Sequence, residues 1–298
     1  MESRRTDLAL EARELYQEQT LREPPGVDWK EEEQDGIHMT EVHIRTPEGA
    51  QEMGKPQGRY ITFQLGENWE REDHTIAAAS SLLARQVRRL LPSQPESVLI
   101  VGLGNRHLTA DALGPLCTEK IIVTRHLKDT MPDVFRSFAR VSAIAPGVLG
   151  LTGVETGEVV LGLCEKIRPD AIIAIDSLVS RKLSRLCRTI QLSDTGITPG
   201  SGVGNARAAL NAETLGVPVI AVGVPTVVDA ATLTCDVLAE AGKGELNPAA
   251  LQGAGDGLIV TPKDIDTQVH DLAKVIGYGI NLALHTGLTI EDVELFLS

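Results

Sequence analysis

Ser97-Val98-Leu99-Ile100-Val101-Gly102-Leu103-Gly104-Asn105 is an apolar run without alternation that stops on glycine. A strand with one wet face alternates; an unbroken run suits a strand covered on both faces, as in a parallel sheet. Similar runs recur at Lys120-Ile121-Ile122-Val123-Thr124, at Ala171-Ile172-Ile173-Ala174-Ile175 and at Val217-Pro218-Val219-Ile220-Ala221-Val222. Helices are expected at 156–168, 206–214, 227–241 and 263–285, with a Gly- and Pro-containing surface excursion at 242–257. Strands alternating with helices at this spacing predict an α/β fold, a mainly parallel twisted sheet flanked by helices.

Toward the N-terminus the pattern changes. Leu8, Leu10, Ala12, Leu15 and Leu21 among charges predict an amphipathic helix over 8–22. Residues 23–36, with Pro24, Pro25 and Glu31-Glu32-Glu33, read as a solvated loop. Two strand-like stretches at 37–44 and 59–65 predict an added β-hairpin, with Pro47-Glu48-Gly49 and Gly54-Lys55-Pro56 as turn material between them. An Ala- and Leu-rich helix follows at 75–91, its Arg85, Arg88 and Arg89 near the C-terminal end where the helix dipole favours them.

Composition narrows the function. Twenty-eight basic against 41 acidic residues give a formal charge of −13, which disfavours nucleic-acid binding and anionic lipid surfaces. Aromatic residues are 3% of the chain, too few for base-stacking platforms. Cys117, Cys164, Cys187 and Cys235 form no CxxC pair and read as reduced, mostly buried residues of an intracellular protein. The first residues lack the apolar core of a signal peptide, and no run approaches the ~20 apolar residues of a membrane span.

In open α/β sheets ligands gather beyond the carboxyl ends of the strands. Three segments fall there: 102–115, which carries Asp111; 175–181, where an apolar strand ends on Asp176; and the glycine-rich 194–205. The glycine loops lack a complete GxGxxG or Walker pattern, so tight turning explains them as well as phosphate binding does. Two carboxyls brought together at a strand edge cannot both ionise cheaply, so one keeps its proton. Such a pair can divide hydrolysis, the ionised member activating water and the protonated one donating to the carbonyl oxygen or leaving amine. Equally, Asp111 fits as the N-cap of a helix starting at Ala112, and Asp176 as the cap of the helix after its strand. His107 and His126 lie near the first loop without zinc-site spacing, and Ser177 and Ser201 lack the nucleophile-elbow pattern.

The same segments resemble the germination protease family of spore-forming bacteria. The stretches that carry the resemblance are RTDLALEA (5–12), GRYIT (58–62), VGLGN with TADALGP (101–115), VTRHL (123–127) and SAIAPGVLGLTGVET (142–156). They continue with AIDSLVSR (174–181), SDTGITPGSGVGN (193–205), ETLGVPVIAVGVPTVVDA (213–230) and VTPKDID (260–266), in order along nearly the whole chain.

The resemblance implies an aspartate-dependent endopeptidase, made as a zymogen and similar in fold to the hydrogenase-maturation endopeptidases (phosphorylase/hydrolase-like), that degrades small acid-soluble spore proteins. The positions matching its catalytic aspartates are Asp111 in TADALGP and Asp176 in AIDSLVSR. It implies a propeptide of residues 1–7 removed by self-cleavage between Asp7 and Leu8, leaving 8–298 as one peptidase domain, so a chain starting at Met1 is expected to be the precursor. Cleavage after glutamate calls for a basic pocket, for which Arg106, Arg125 and Arg181 are unranked candidates. Asn105 and the amides around Gly202 and Gly204 are expected to position substrate or stabilise an oxyanion. The family is tetrameric and acts in the spore core; neither cofactor, metal, direct nucleic-acid contact nor membrane is expected. The seven-residue leader and the segment at 242–257 are shorter than is usual in the family, which bears on regulation and assembly. Two alternatives stand beside this reading: a metal-assisted maturation-type endopeptidase using Asp111, Asp176 and a histidine, and a non-enzymatic nucleotide- or peptide-binding domain using the glycine loops.

Overall fold

A computed structural model of the chain describes residues 6–67, 69, 73–92, 95–200, 207–241 and 258–298. The N-terminal third runs α1 (Ala9–Thr20), β1 (Val27–Gln34), β2 (Ile37–Ile44), α2 (Pro47–Met53), β3 (Gly58–Gln64) and α3 (Asp73–Leu90). The middle third holds β4 (Ser97–Gly102), α4 (Leu113–Thr118), α5 (Arg125–Thr130), β5 (Arg140–Ile144), α6 (Leu149–Thr152), α7 (Thr156–Ile167) and β6 (Ala171–Ser180). The last comprises β7 (Thr189–Ser193), α8 (Ala212–Leu215), β8 (Val219–Asp229), α9 (Ala230–Glu240), β9 (Ile259–Val260), α10 (Ile265–Leu284) and α11 (Ile290–Leu297).

Among the described residues the nine strands form one sheet in the order β1-β2-β3-β7-β8-β6-β4-β5, with β9 on β8. The α/β class holds, but the sheet is mixed. The pairings β8–β6, β6–β4 and β4–β5 are parallel, whereas β1–β2, β2–β3, β3–β7, β7–β8 and β8–β9 are antiparallel. One face packs on α3, α4 and α10 around Phe63, Leu82, Leu113 and Ile276; the other packs on α7 through Leu99, Ile172 and Val160. No described helix is long and apolar enough to cross a membrane, and all four cysteines are buried and outside any disulfide.

Several local expectations need correction. The acidic segment around Glu31 is not a loop but edge strand β1, which turns the expected hairpin into a three-stranded meander. Its charges suit an edge, where they discourage pairing with another chain. Pro47 opens helix α2, with the Thr46 hydroxyl accepting from the Gly49 N–H at 3.1 Å. The apolar run 120–124 is outside the sheet, and β5 takes the place beside β4. That run is tied instead to α10 and the residue that caps it: Ile122 N–H donates to Asn281 Oδ1 (2.9 Å), Asn281 Nδ2 to the Lys120 carbonyl (2.7 Å), and His285 Nε2 lies 3.1 Å from the Ile122 carbonyl. The expected helix over 206–214 is reduced, in its described part, to α8. The helix expected from 227 begins at Ala230 because β8 runs on to Asp229. The excursion at 242–257 lies outside the described residues.

Candidate active site

Two glycines let the turn after β4 close against the middle of β6. At Gly114 a Cβ would sit 2.2 Å from the Leu103 carbonyl oxygen and 2.6 Å from that of Ile175, so only glycine lets α4 press onto the chain leaving β4 and onto the middle of β6. At Gly104, with φ +108°, a Cβ would sit 2.1 Å from the Asp111 carbonyl oxygen. The chain leaving β4 is thereby folded back on itself, and Asp111 comes beside the residue that follows Ile175, namely Asp176. The Thr226 hydroxyl braces this turn from β8 by donating to the Ala110 carbonyl at 2.6 Å.

Both aspartates line one cleft of about 750 Å³. Neither serves as the helix cap that the sequence also allowed. The helix after Asp111 starts at Leu113 with Ala112 as its N-cap and no side-chain cap bond. Asp176 lies inside a strand that continues to Ser180. Asp111 Oδ2 accepts from the Asn105 N–H at 2.8 Å, and Asp176 Oδ1 from the Ser177 N–H at 2.9 Å. Burial pushes the Asp111 carboxyl up, opposed by that Asn105 N–H. Asp176 is 7% exposed. Burial, and then the neighbouring Asp111 charge, lift it well above the usual carboxylate range against the Ser177 N–H, with a further push from Asp7.

The chain's own N-terminal segment lies in this cleft. β4 accompanies β6 only as far as Ile175, so the β6 edge beyond it is open. Asp7 takes that edge: its N–H donates to the Val179 carbonyl at 2.9 Å, and its carboxylate Oδ2 accepts the Val179 N–H at 2.9 Å. Lys55 Nζ donates to the Thr6 carbonyl at 3.1 Å. Burial lowers its pKa, and the charges of Asp7 and Glu11 resist that. Leu8 is fully buried, and Gln191 bonds to both Asp7 and Ala9. Helix α1 then anchors the segment. The buried Glu11 carboxylate accepts from the Arg181 and Lys182 N–H groups at 2.7 and 3.0 Å and pairs with Arg185 at 3.1 Å.

The other expected residues fall elsewhere. Arg106 pairs with Glu119 at 2.9 Å on the surface, Arg125 opens α5, and the buried Arg181 pairs with Glu18 of α1 at 2.9 Å. None of the three is among the described residues lining the cleft, whose cations are Lys55 and Arg207, the latter paired with Glu155 at 3.0 Å. Asn105 holds Asp111 through its backbone and the His107 N–H through its side chain. Gly202 and Gly204 lie outside the described residues. The described lining contains neither histidine nor cysteine beside the two aspartates, and no group of three or more metal-ligating side chains gathers among the described residues. Lys55, Val179 and Gln191 went unnoticed in the sequence. The one available signal was Gln191, an amide in the short strand Thr189-Ile190-Gln191-Leu192-Ser193.

Comparison with known proteins places the chain in the class of peptidases. A family model described as germination protease matches residues 5–240 and 236–297. The germination protease of Clostridium perfringens is 44% identical over 321 residues, covering 99% of this chain and 99% of that one. That of Caldanaerobacter subterraneus subsp. tengcongensis is 46% identical over 319 residues, 98% of each. The chain belongs to the germination protease family. Among solved structures, the NiFe hydrogenase maturation protease HycI from Thermococcus kodakarensis is 18% identical, with a TM-score of 0.37, covering 65% of this chain and 98% of that one.

Proposed function

We propose that this chain is a zymogen endopeptidase that starts the degradation of small acid-soluble spore proteins at germination, with Asp111 and Asp176 activating water. The observation that carries the reading is a buried cleft holding two acids of raised pKa and, beside them, an extended peptide segment of the chain itself. The more deeply buried Asp176, raised the further of the two, keeps its proton, and the less buried Asp111 is the base. Asp111 takes a proton from water as the water oxygen adds to the peptide carbonyl, and Asp176 protonates the carbonyl oxygen. Collapse of the tetrahedral adduct breaks the C–N bond; the amine leaves with the proton Asp111 received, one hydroxyl of the adduct returns its proton to Asp176 as the C=O bond re-forms, and a carboxyl end remains.

Residues 1–7 are the leader in this reading, 8–298 the peptidase, and Asp7–Leu8 the bond cut on activation. The acidic side chain before the cut is received by the Val179 N–H with Lys55 nearby, rather than by Arg106, Arg125 or Arg181. The working form is a homotetramer in the spore core, acting without cofactor, nucleic acid or membrane. The test is incubation of the purified chain and its Asp111→Asn and Asp176→Asn variants with a purified small acid-soluble spore protein. The wild type is expected to cut it after glutamate, and each variant to lose at least about a thousandfold in rate while staying folded by circular dichroism. An intact substrate with wild type, or a fully active variant, refutes the assignment.

A further inference from the structure

Gln191 touches the peptide segment at two points. Its Nε2 donates to the Asp7 carbonyl at 3.2 Å, and its Oε1 accepts the Ala9 N–H at 2.8 Å. Because Ala9 N–H can only donate, the amide orientation follows from its partners. One side chain thus spans Leu8, gripping the carbonyl of the Asp7–Leu8 bond and the N–H two residues on. The sheet fixes where that amide stands. Gln191 pairs with Thr62 on one side and Gly223 on the other, and Gly223 pairs with Asp176. Gln191 and Asp176 therefore project from the same face of the sheet, two strands or roughly 10 Å apart, and Asp7, which Gln191 holds, is near enough to Asp176 to raise its pKa.

We propose that Gln191 is the oxyanion donor and register clamp for peptides cut in this cleft, the leader first and substrate afterwards. The inference rests on the reading that Asp7–Leu8 is the bond cut. When water adds to that carbonyl, the negative charge that develops on its oxygen before Asp176 completes the proton transfer meets an N–H donor that is already in place and has no reorganisation to undergo. The clamp reads backbone groups alone, so its one sequence demand is an N–H two positions after the residue preceding the cut. Proline is excluded there.

The experiment follows self-cleavage of the full chain by mass spectrometry, and cleavage of a synthetic peptide by the form beginning at Leu8. Gln191→Leu, which removes the donor, is expected to slow both by about 100- to 1,000-fold, mainly in kcat rather than KM. Gln191→Glu is expected to shift the pH profile to the acid side, where the protonated carboxyl donates again. Ala9→Pro tests the second contact without touching Gln191. Ala9 is the first residue of α1 and Leu8 before it is extended (φ −83°, ψ 125°), so proline fits the backbone and removes the N–H. Self-cleavage of this variant is expected to slow at least about tenfold. A folded Gln191→Leu chain cutting within about threefold of wild type overturns the clamp; if that variant does not fold, an Ala9→Pro chain cutting at wild-type rate overturns it. A wild-type chain that never cuts at Asp7–Leu8 removes the leader reading and the clamp together. A wild type that cuts, beside variants that cut as fast, removes only the clamp.

Discussion

The two halves of the sheet contribute different things to one cleft. In the parallel half, β4, β6 and β8 are buried under helices; Asp176 lies in the middle of β6, and Asp111 in the turn that follows β4. In the antiparallel half, β3 and β7 have neither acid but hold the N-terminal segment, through Lys55 just before β3 and Gln191 on β7. Strand β8 belongs to both, parallel to β6 and antiparallel to β7, and Gly223 sits at the junction between Asp176 and Gln191. In the proposed reading, the acids that react are set by the parallel strands and the turn after β4, and the peptide's register by a separate surface beside them. If this division is real, damage to one half should stop the chemistry and damage to the other should weaken the grip.

The sharpest way to break it is Gly114→Val. The added side chain has no space between the Leu103 and Ile175 carbonyls, where even a Cβ comes within 2.6 Å of backbone oxygen. Separating α4 from the chain leaving β4 and from β6 is expected to cost on the order of 3 kcal/mol in a urea melt. Cleavage should fall by more than about a hundredfold because Asp111 moves away from Asp176. A variant that loses stability but cuts normally would show that the parallel half does not need this packing to place its acids.

Lys55→Met probes the opposite half and should act more mildly. Losing a half-buried cation beside the residue before the cut is expected to lower kcat/KM by about 10- to 100-fold for peptides with an acid at that position. A peptide with a neutral residue there should be affected much less. Equal loss on both peptides would mean that Lys55 supports the loop and does not select charge.

These two halves also differ in how far the sequence reveals them. The parallel strands announce themselves locally, because burial on both faces demands an unbroken apolar run, and an aspartate closing such a run stands out. That local signal also misleads at 120–124, whose partners Asn281 and His285 come from α10 and the residue that caps it, about 160 residues further on. The antiparallel half is made of short or charged strands such as β1 and β7, and no local pattern marks them. Lys55 looks like turn material and Gln191 like one polar residue in a strand. Their place emerges only when residues 6, 7, 55, 179 and 191 meet in space, a condition set by sheet order. The arginines escape a sequence reading for the same reason: Arg181 follows Asp176 closely in sequence, yet it lies past the end of β6, where helix α1 covers it with Glu18.

The smallest effect is also the most diagnostic of the parallel half. Asp176 is buried and its acidity suppressed first by burial and then by Asp111, so its pKa is higher folded than unfolded. Between those two pKa values the folded chain binds the extra proton, and stability attributable to this group falls as pH rises through that window. At neutral pH, on the alkaline side of the unfolded value, the native state carries the strain of that carboxyl. Asp176→Asn removes the ionisation and keeps the shape. It is expected to raise Tm by roughly 2–4 °C near pH 7, on the order of 1 kcal/mol for a chain of this size. The gain should shrink as pH falls and vanish below about pH 3, where the wild-type carboxyl is protonated in both states. A variant that is inactive and more stable, with that pH dependence, would mark Asp176 as a residue held against the stability of its own fold. An unchanged or lowered Tm at pH 7 would mean that the Ser177 N–H and the cleft solvate the carboxylate well enough to offset its burial.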